Sequence, residues 1–160
     1  MTIPELSTAR LVLKGIELGH AESYEKNFVD YEVIRFLSDQ VPWPYPAGGV
    51  ADFLENVILP KQGLTRWTWG IFLKENPDEV IGVVDLWRDG CPEHRGFWLA
   101  KRFWGVGLMT EATEAVTSCA FEQLGFQKLV FSNAVGNERS RRIKEKTHAV
   151  LVGRRPAGFV

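Results

Sequence analysis

Apolar residues recur with two different periods along this chain, and the changes of period predict where strands and helices alternate. In the segment ARLVLKGI, Leu11 and Leu13 share one face of a predicted first strand. Three predicted helices follow, over residues 17–30, 31–37 and 50–59. The segment VPWPYPAGG, 41–49, is predicted as neither element, because its prolines and glycines break both patterns.

Aromatic and β-branched residues dominate the middle of the chain and predict three more strands. These strands are WTWGIFL, VIGVVDLW and RGFWLA, which occupy residues 67–73, 80–87 and 95–100. Because the links between them are short and rich in turn-forming residues, we expect the three strands to be antiparallel neighbours.

The longest helical pattern begins after Gly107 and ends at Gly125. Its apolar stripe recurs every three or four residues and comprises Met109, Ala112, Val116, Cys119 and Gln123, widened by Ala115 and Ala120. A strand over 128–135, a helix over 137–146 that Asn137 caps, and a last strand over 148–153 are then expected. This order predicts an α/β or α+β fold built on one sheet.

Composition places the chain among ordinary globular proteins. Its 160 residues suit a single domain, 1–160, with 45% hydrophobic and 24% charged residues. A net charge of −1 provides no global basic field to attract nucleic acid or an anionic membrane. Neither a signal peptide nor an apolar run of the roughly 20 residues that span a bilayer is evident. With only two cysteines, a reducing cytoplasm is the expected location.

Two glycines, Gly105 and Gly107, lie between the strand GFWLA and the long helix. The free amides and the dipole of a helix N-terminus form an anion site, so the loop indicates pyrophosphate binding, to which Arg102 adds a donor. The alternative is a tight turn without a ligand. A Walker loop is excluded because Gly-Lys-Ser/Thr is missing, and KLVFSNA lacks the acidic residue that a dinucleotide fold requires. Coenzyme A remains as a third phosphate ligand.

The segment from Arg102 to Gly107 resembles the Arg/Gln-x-x-Gly-x-Gly/Ala motif of the GNAT N-acetyltransferases. TARLVLK, PWPYP with ADFL, GFWLAKRFWGVGLMTEA and NERSRRIKEK, in this order, resemble the RimJ/RimL-like branch. The resemblance covers Thr8 to about Lys146. It implies an α/β (α+β) GNAT fold, with one central mixed, mostly antiparallel sheet that is flanked by helices and splayed at the acetyl-CoA site.

The resemblance also implies which residues bind the coenzyme. Trp98 and Leu99 would lie along the pantetheine arm, and Asn137 and Ser140 match the family's Asn-x-x-Ser. The pyrophosphate would be held by the amides of Trp104, Gly105, Val106, Gly107, Leu108, Met109 and Thr110. Ser140 would give a proton to the departing thiolate, and Lys144 occupies the place of a tyrosine found in other branches.

The charges of ERSRRIKEK have two interpretations. Most are explained by a solvated helix with Glu138–Arg142 and Arg141–Glu145 pairs, each worth only about 0.2–0.5 kcal/mol. One or two of the cations Arg141, Arg142 and Lys144 would otherwise reach the 3′-phosphate of the coenzyme.

The implied reaction is direct attack of a primary amine on acetyl-CoA, without a covalent enzyme intermediate. A peptide or protein N-terminus is the first acceptor considered, since its pKa of about 7.7–8.0 leaves it partly neutral, whereas a lysine has a pKa near 10.4. A small amine, such as an amino sugar or a polyamine, is the second. A module that binds acetyl-CoA without turnover is a third possibility.

Three residues are candidate general bases: Asp85, Glu93 and His94. Asp85 shares its strand face with Ile81 and Val83, so burial would raise its pKa, unless it is simply hydrogen-bonded at the strand end. Cys91-x-x-His94 lacks the further ligands of a zinc site, so no metal is expected.

The proline-rich segment is expected to form the acceptor side of the site. Trp43 and Tyr45 would line an acceptor pocket there, or else anchor the loop.

The chain departs from the family pattern at its C-terminal end. Residues 145–149 read EKTHA, where the family has a glycine turn, and relatives continue beyond the position of Val160 into another strand. We expect that strand to be supplied from elsewhere, for example by the partner subunit of a homodimer. This expectation affects the acceptor site more than coenzyme binding.

Overall fold

The computed structural model describes residues 2–37, 41–88, 93–133 and 136–153. Five strands form one sheet in chain order, and every pairing among them is antiparallel. The strands are β1 (Leu6–Ser7), β2 (Leu11–Gly15), β3 (Arg66–Leu73), β4 (Gly82–Trp87) and β5 (Arg95–Leu99). The short turn-rich links produce this neighbour-to-neighbour order, as expected from the sequence.

Helices cover both faces of this sheet. They are α1 (Ala21–Phe28), α2 (Tyr31–Ile34), α3 (Gly49–Phe53), α4 (Leu108–Glu122) and α5 (Glu138–Lys146). A π-helical turn, Leu54–Ile58, and a 3₁₀ turn, Leu59–Lys61, extend α3, and Pro60 lies in the last turn. None of the helices in the described ranges is long and apolar enough to cross a bilayer.

Two hydrophobic cores, one on each face, position the sheet between the helices. Val84 and Leu86 of β4 pack with α4, whereas Val83, one residue away, packs with α1, α2 and α3. Because both faces are covered, β3 and β4 are buried along most of their length. The α/β class with a predominantly antiparallel sheet is therefore confirmed.

Two predicted strands are not formed in the described residues. In 128–133, the contact with the sheet is a backbone hydrogen bond from the His94 amide to the Val130 carbonyl, 2.7 Å long. The described residues 148–153 are also outside any strand, and Val152 is 94% exposed. The alternating pattern of HAVLVG predicts a strand only if one of its faces is buried, and no such burial exists in this described segment.

Helix α4 confirms the predicted apolar stripe but ends at Glu122, before Gly125. Met109, Ala112, Val116 and Cys119 are buried against the sheet. Gln123 is exposed, because the helix has ended before that position. Burial raises the pKa of the Cys119 thiol, with a smaller contribution from Glu122, so this cysteine is a core residue.

Candidate functional site

A cavity of about 440 Å³ opens between β5, the N-terminus of α4, residues 131–133 and α5. It separates the end of the sheet from the C-terminal segment, which is the place where the sheet was expected to splay. All the predicted coenzyme residues except Arg102 and Val106 line it: Trp98, Leu99, Trp104, Gly105, Gly107, Leu108, Met109, Thr110, Asn137, Ser140 and Lys144.

The glycine loop forms one end of the cavity. Gly105 and Gly107 have φ values of +84° and +83°, a left-handed conformation that disfavours any residue with a side chain. A Cβ atom at Gly105 would meet nothing within 4 Å, so the backbone conformation and not crowding requires glycine there. Gly107 is the N-cap of α4 and supplies no side-chain cap. The first amides of α4 are therefore available to an anion.

The segment around Thr8 and Arg10 holds this loop in place. Arg10 donates from Nη1 to the Val106 carbonyl, 2.9 Å away, and from Nε to Glu111, 3.0 Å away. Glu111, in the first turn of α4, also accepts hydrogen bonds from the Thr8 hydroxyl and the Arg10 amide. Burial opposes ionisation of Glu111, but these bonds outweigh it and lower its pKa. The TARLVLK segment therefore buttresses the glycine loop.

The prediction that Arg102 points at a phosphate is wrong. Its guanidinium donates to Oδ1 of Asn27, 2.7 Å away, and pairs with Glu79 at 2.5 Å. These partners, on α1 and before β4, draw Arg102 away from the cavity. The side chain of Val106 is 57% exposed and also lies outside the cavity wall.

Ser140 and Lys144 lie one helical turn apart on α5 and face the cavity together. Lys144 Nζ donates to Ser140 Oγ, 2.6 Å away, and to Asn133 Oδ1, 2.9 Å away. Asn137 caps α5, as predicted, by accepting from the Ser140 amide. Burial, with the nearby charge of Arg95, lowers the pKa of Lys144 to about 7. A hydroxyl and an amine that titrates near neutrality are thus coupled in the cavity.

Trp98 and Trp104 shape the wall along β5. The Trp98 ring packs edge-on against Tyr24, with ring centroids 5.1 Å apart, and burial raises the pKa of Tyr24. Trp104 donates from Nε1 to the Leu99 carbonyl, 2.8 Å away. The guanidinium of Arg139 lies over the Trp104 ring, 3.3 Å from its centroid, and connects α5 to the glycine loop.

Asp85, predicted as a base with a pKa raised by apolar neighbours, is instead hydrogen-bonded at the strand end. Arg66 pairs with its carboxylate through both Nε and Nη2, and the Thr68 hydroxyl donates to it from 2.7 Å. Asp85 does not line the cavity. Its expected apolar surroundings were wrong because the facing position on β3 is Thr68.

The two other candidate bases separate clearly. His94 accepts a hydrogen bond at Nδ1 from the Val130 amide, 2.9 Å away, and stands outside the cavity wall. Glu93 does line the cavity. Cys91, the other half of the considered metal pair, lies outside the described residues.

The expected acceptor pocket around Trp43 and Tyr45 is not part of this cavity. Trp43 packs on Tyr31, and Tyr45 packs on Phe28, which is the loop-anchor alternative. The opposite wall is instead formed by Val33, Phe36 and Leu37, in α2 and the turn after it.

Two arginines of the site, Arg95 and Arg139, escaped the sequence analysis. Arg95 occupies a strand position that the alternation indicates only as one side of a buried sheet. Arg139 is one of three arginines in ERSRRIKEK, and helical spacing alone cannot indicate which of them packs on a tryptophan. Both assignments require the three-dimensional arrangement.

Residues 10–150 match the family model described as an acetyltransferase (GNAT) domain. A segment of 51 residues is 41% identical to YdaF of Bacillus subtilis (strain 168), provisionally named a ribosomal N-acetyltransferase. That segment is 32% of this chain and 28% of YdaF, so most of that relative's length is not matched.

Solved structures show the same fold. One from T. thermophilus, provisionally described as an acetyltransferase, is 30% identical, with a TM-score of 0.71 over 94% of this chain and 78% of that chain. RimL, described as the ribosomal L7/L12 alpha-N-protein acetyltransferase and solved with coenzyme A, has a TM-score of 0.77 at 18% identity. That match covers 94% of this chain and 86% of RimL. An identity this low supports the fold alone.

Proposed function

The chain belongs to the GNAT acetyltransferase family, and we propose that it transfers the acetyl group of acetyl-CoA to a primary amine inside the described cavity. The observation that carries the proposal is the arrangement along β5. Free helix amides lie at one end of the cavity and the coupled Ser140–Lys144 pair lines its α5 wall. An anionic carrier and a thiolate leaving group need these two features.

We assign coenzyme binding to the cavity wall. The amides from Trp104 to Thr110 would hold the pyrophosphate, since a helix N-terminus with uncapped amides favours an anion. Trp98 and Leu99 would flank the pantetheine arm, and Asn137 would face it from α5. No metal enters this assignment.

The 3′-phosphate is assigned to Arg139 and Arg142, which both line the cavity. Arg141 is a weaker candidate because Glu138 and Glu145 pair with it on the exposed side of α5, at 2.6 and 3.5 Å. These pairs agree with the solvated-helix interpretation for that residue.

The chemical step follows from the direction of one hydrogen bond. The amine nitrogen attacks the thioester carbon, and collapse of the tetrahedral intermediate breaks the C–S bond. The departing thiolate takes the proton of Ser140 Oγ. Because Lys144 donates to that oxygen, the hydroxyl proton is free to point into the cavity, and Lys144 can replace it once lost. A pKa of about 7 suits a proton donor that works near neutral pH.

A peptide or protein N-terminus is the proposed acceptor. The printed names of YdaF and RimL, which refer to ribosomal N-acetylation and to L7/L12 alpha-N acetylation, support this choice. An α-amino group needs little help from a base, because its pKa of about 7.7–8.0 leaves part of it neutral. Glu93, which lines the cavity, is the carboxylate placed to accept the proton that the amine loses.

The test is release of free coenzyme A thiol from acetyl-CoA, measured with a panel of peptides, amino sugars and polyamines. We expect turnover with peptides and little with small amines. A preference for small amines would favour the second acceptor class. Binding of acetyl-CoA by calorimetry without thiol release would contradict catalysis and favour a non-catalytic module.

A further inference from the structure

Arg95 is a buried cation on the wall of the cavity. The residue is only 5% exposed, and its Nε and Nη2 atoms are buried without a hydrogen-bond partner among the described residues. Nη1 reaches the hydroxyl of Thr117 at 3.3 Å, and the guanidinium lies 3.8 Å from the centre of the Phe131 ring. Burial lowers the pKa of Arg95 to about 10, which leaves it charged at neutral pH.

A second cation stands close to Arg95. Lys144 lies against the same two rings, with Nζ 5.1 Å from the centre of Phe97 and 5.8 Å from that of Phe131. Neither Arg95 nor Lys144 belongs to any ion pair found within the described ranges. Two neighbouring cations therefore share one cavity, and no carboxylate in the described part of the chain pairs with either of them.

Such an arrangement is costly unless an anion completes it. A buried charge without a partner loses its hydration and gains nothing in return, whereas a bidentate carboxylate satisfies an arginine in both charge and geometry. The two unpartnered nitrogens, Nε and Nη2, form one edge of the guanidinium and match the two oxygens of a carboxylate.

The position of Arg95 along β5 indicates where the anion comes from. Arg95 begins the strand, and Leu99, at its other end, accepts a hydrogen bond from Trp104 beside the glycine loop. Four residue steps of a strand span about 13 Å, so a pyrophosphate on the loop cannot also reach Arg95. The acceptor amine, which must approach the thioester near Ser140, is the other molecule in the cavity.

We propose that Arg95, with Lys144 beside it, binds a carboxylate carried by the acceptor, so that the enzyme prefers amines with an acidic group close to the reacting nitrogen. This inference rests on the proposed acetyl transfer. It narrows the acceptor from any peptide N-terminus to one with an acidic residue at its first or second position.

The experiment uses peptides that are identical except for Asp or Asn at the first position, and a second such pair at the second position. With the wild-type protein, we expect thiol release from one Asp peptide to exceed that from its Asn partner by about 10- to 100-fold in kcat/KM, because a hydrogen-bonded charge is at stake. The preference should disappear in Arg95→Met and persist, at lower rates, in Arg95→Lys. The KM for acetyl-CoA should stay unchanged.

Arg88→Met is the matched control. Arg88 also stacks on aromatic rings, 4.1 Å from the centre of Phe126 and 4.9 Å from that of Trp67, but it lies outside the cavity wall. The control should keep the wild-type preference. Equal use of Asp and Asn peptides by the wild-type protein would overturn the inference without any variant, while leaving acetyl transfer intact.

If no acceptor is acetylated, the proposed function fails, and the anion site is tested by binding alone. Calorimetry with glutarate and with its uncharged diamide, on the protein saturated with coenzyme A, then decides. Glutarate binding that Arg95→Met weakens at least tenfold supports the site. No binding of glutarate, or equal binding of the diamide, overturns it.

Discussion

The two functional parts of the cavity are built from different materials. The glycine loop offers backbone amides at the start of one helix, held by Arg10 and Glu111. The Arg95, Ser140 and Lys144 region is built from side chains that arrive from β5 and α5, with Asn133 between them. A backbone site is encoded within a few consecutive residues, whereas a side-chain site depends on elements that meet only in the fold.

The largest effect is expected in the side-chain region, from Ser140→Ala. Loss of the proton donor should lower kcat by about 10²- to 10⁴-fold, the usual contribution of general acid catalysis, with little change in the KM for acetyl-CoA. Steady-state kinetics of thiol release measure both constants. Ser118→Ala, at an exposed position of α4, is the control. An unchanged kcat in Ser140→Ala would remove Ser140 from the mechanism.

A smaller effect, confined to binding, is expected in the loop from Gly107→Val. A valine at a φ of +83° must shift the backbone, so the amides of α4 lose their alignment and coenzyme A affinity should fall about 10- to 100-fold. Gly125→Val is the matched control, because Gly125 has a φ of +73° but lies outside the cavity wall. Calorimetry that finds equal affinity in both folded variants would argue against the loop as the phosphate site.

The smallest effect concerns stability and its pH dependence in Lys144→Met. The pKa of Lys144 falls from 10.5 to about 7 on folding, through burial first and Arg95 second. Between these values the unfolded chain binds more protons than the folded one, so Lys144 makes stability rise with pH from about 7 to 10. Below pH 7 the folded state carries the full cost of a buried charge.

Lys144→Met should therefore be more stable than the wild type at pH 6, with an advantage that shrinks as the pH rises to 9. Urea unfolding at both pH values measures this difference. The exposed Lys128, changed to Met, should show no such trend. An advantage that grows with pH would contradict the assigned protonation of Lys144.

The contrast between the two regions also explains what the sequence could predict. The glycine loop, the stripe of α4 and the Asn137 cap depend on local spacing, and all were recognisable before the fold was known. The Arg102 and Asp85 assignments failed because their partners, Glu79 and Arg66, come from other segments.

The C-terminal segment shows a second reason for failure. The pattern over 148–153 predicts a strand, but strand formation requires a neighbour, and the described residues provide none. Arg95 could not be assigned for a related reason. Alternation predicts the face of β5 it occupies, but not that this face opens onto a cavity beside a lysine.

The most direct test of the account follows the backbone amide signals of isotope-labelled protein by NMR during titration with coenzyme A and, separately, with pantetheine. Coenzyme A should shift the amides of Gly105 to Thr110 and of Ser140. Pantetheine, which lacks the phosphates, should shift residues of β5 and α5 and leave the loop unchanged. Saturating coenzyme A that leaves the amides of Gly105 and Gly107 unshifted would contradict the central claim that the start of α4 binds the pyrophosphate.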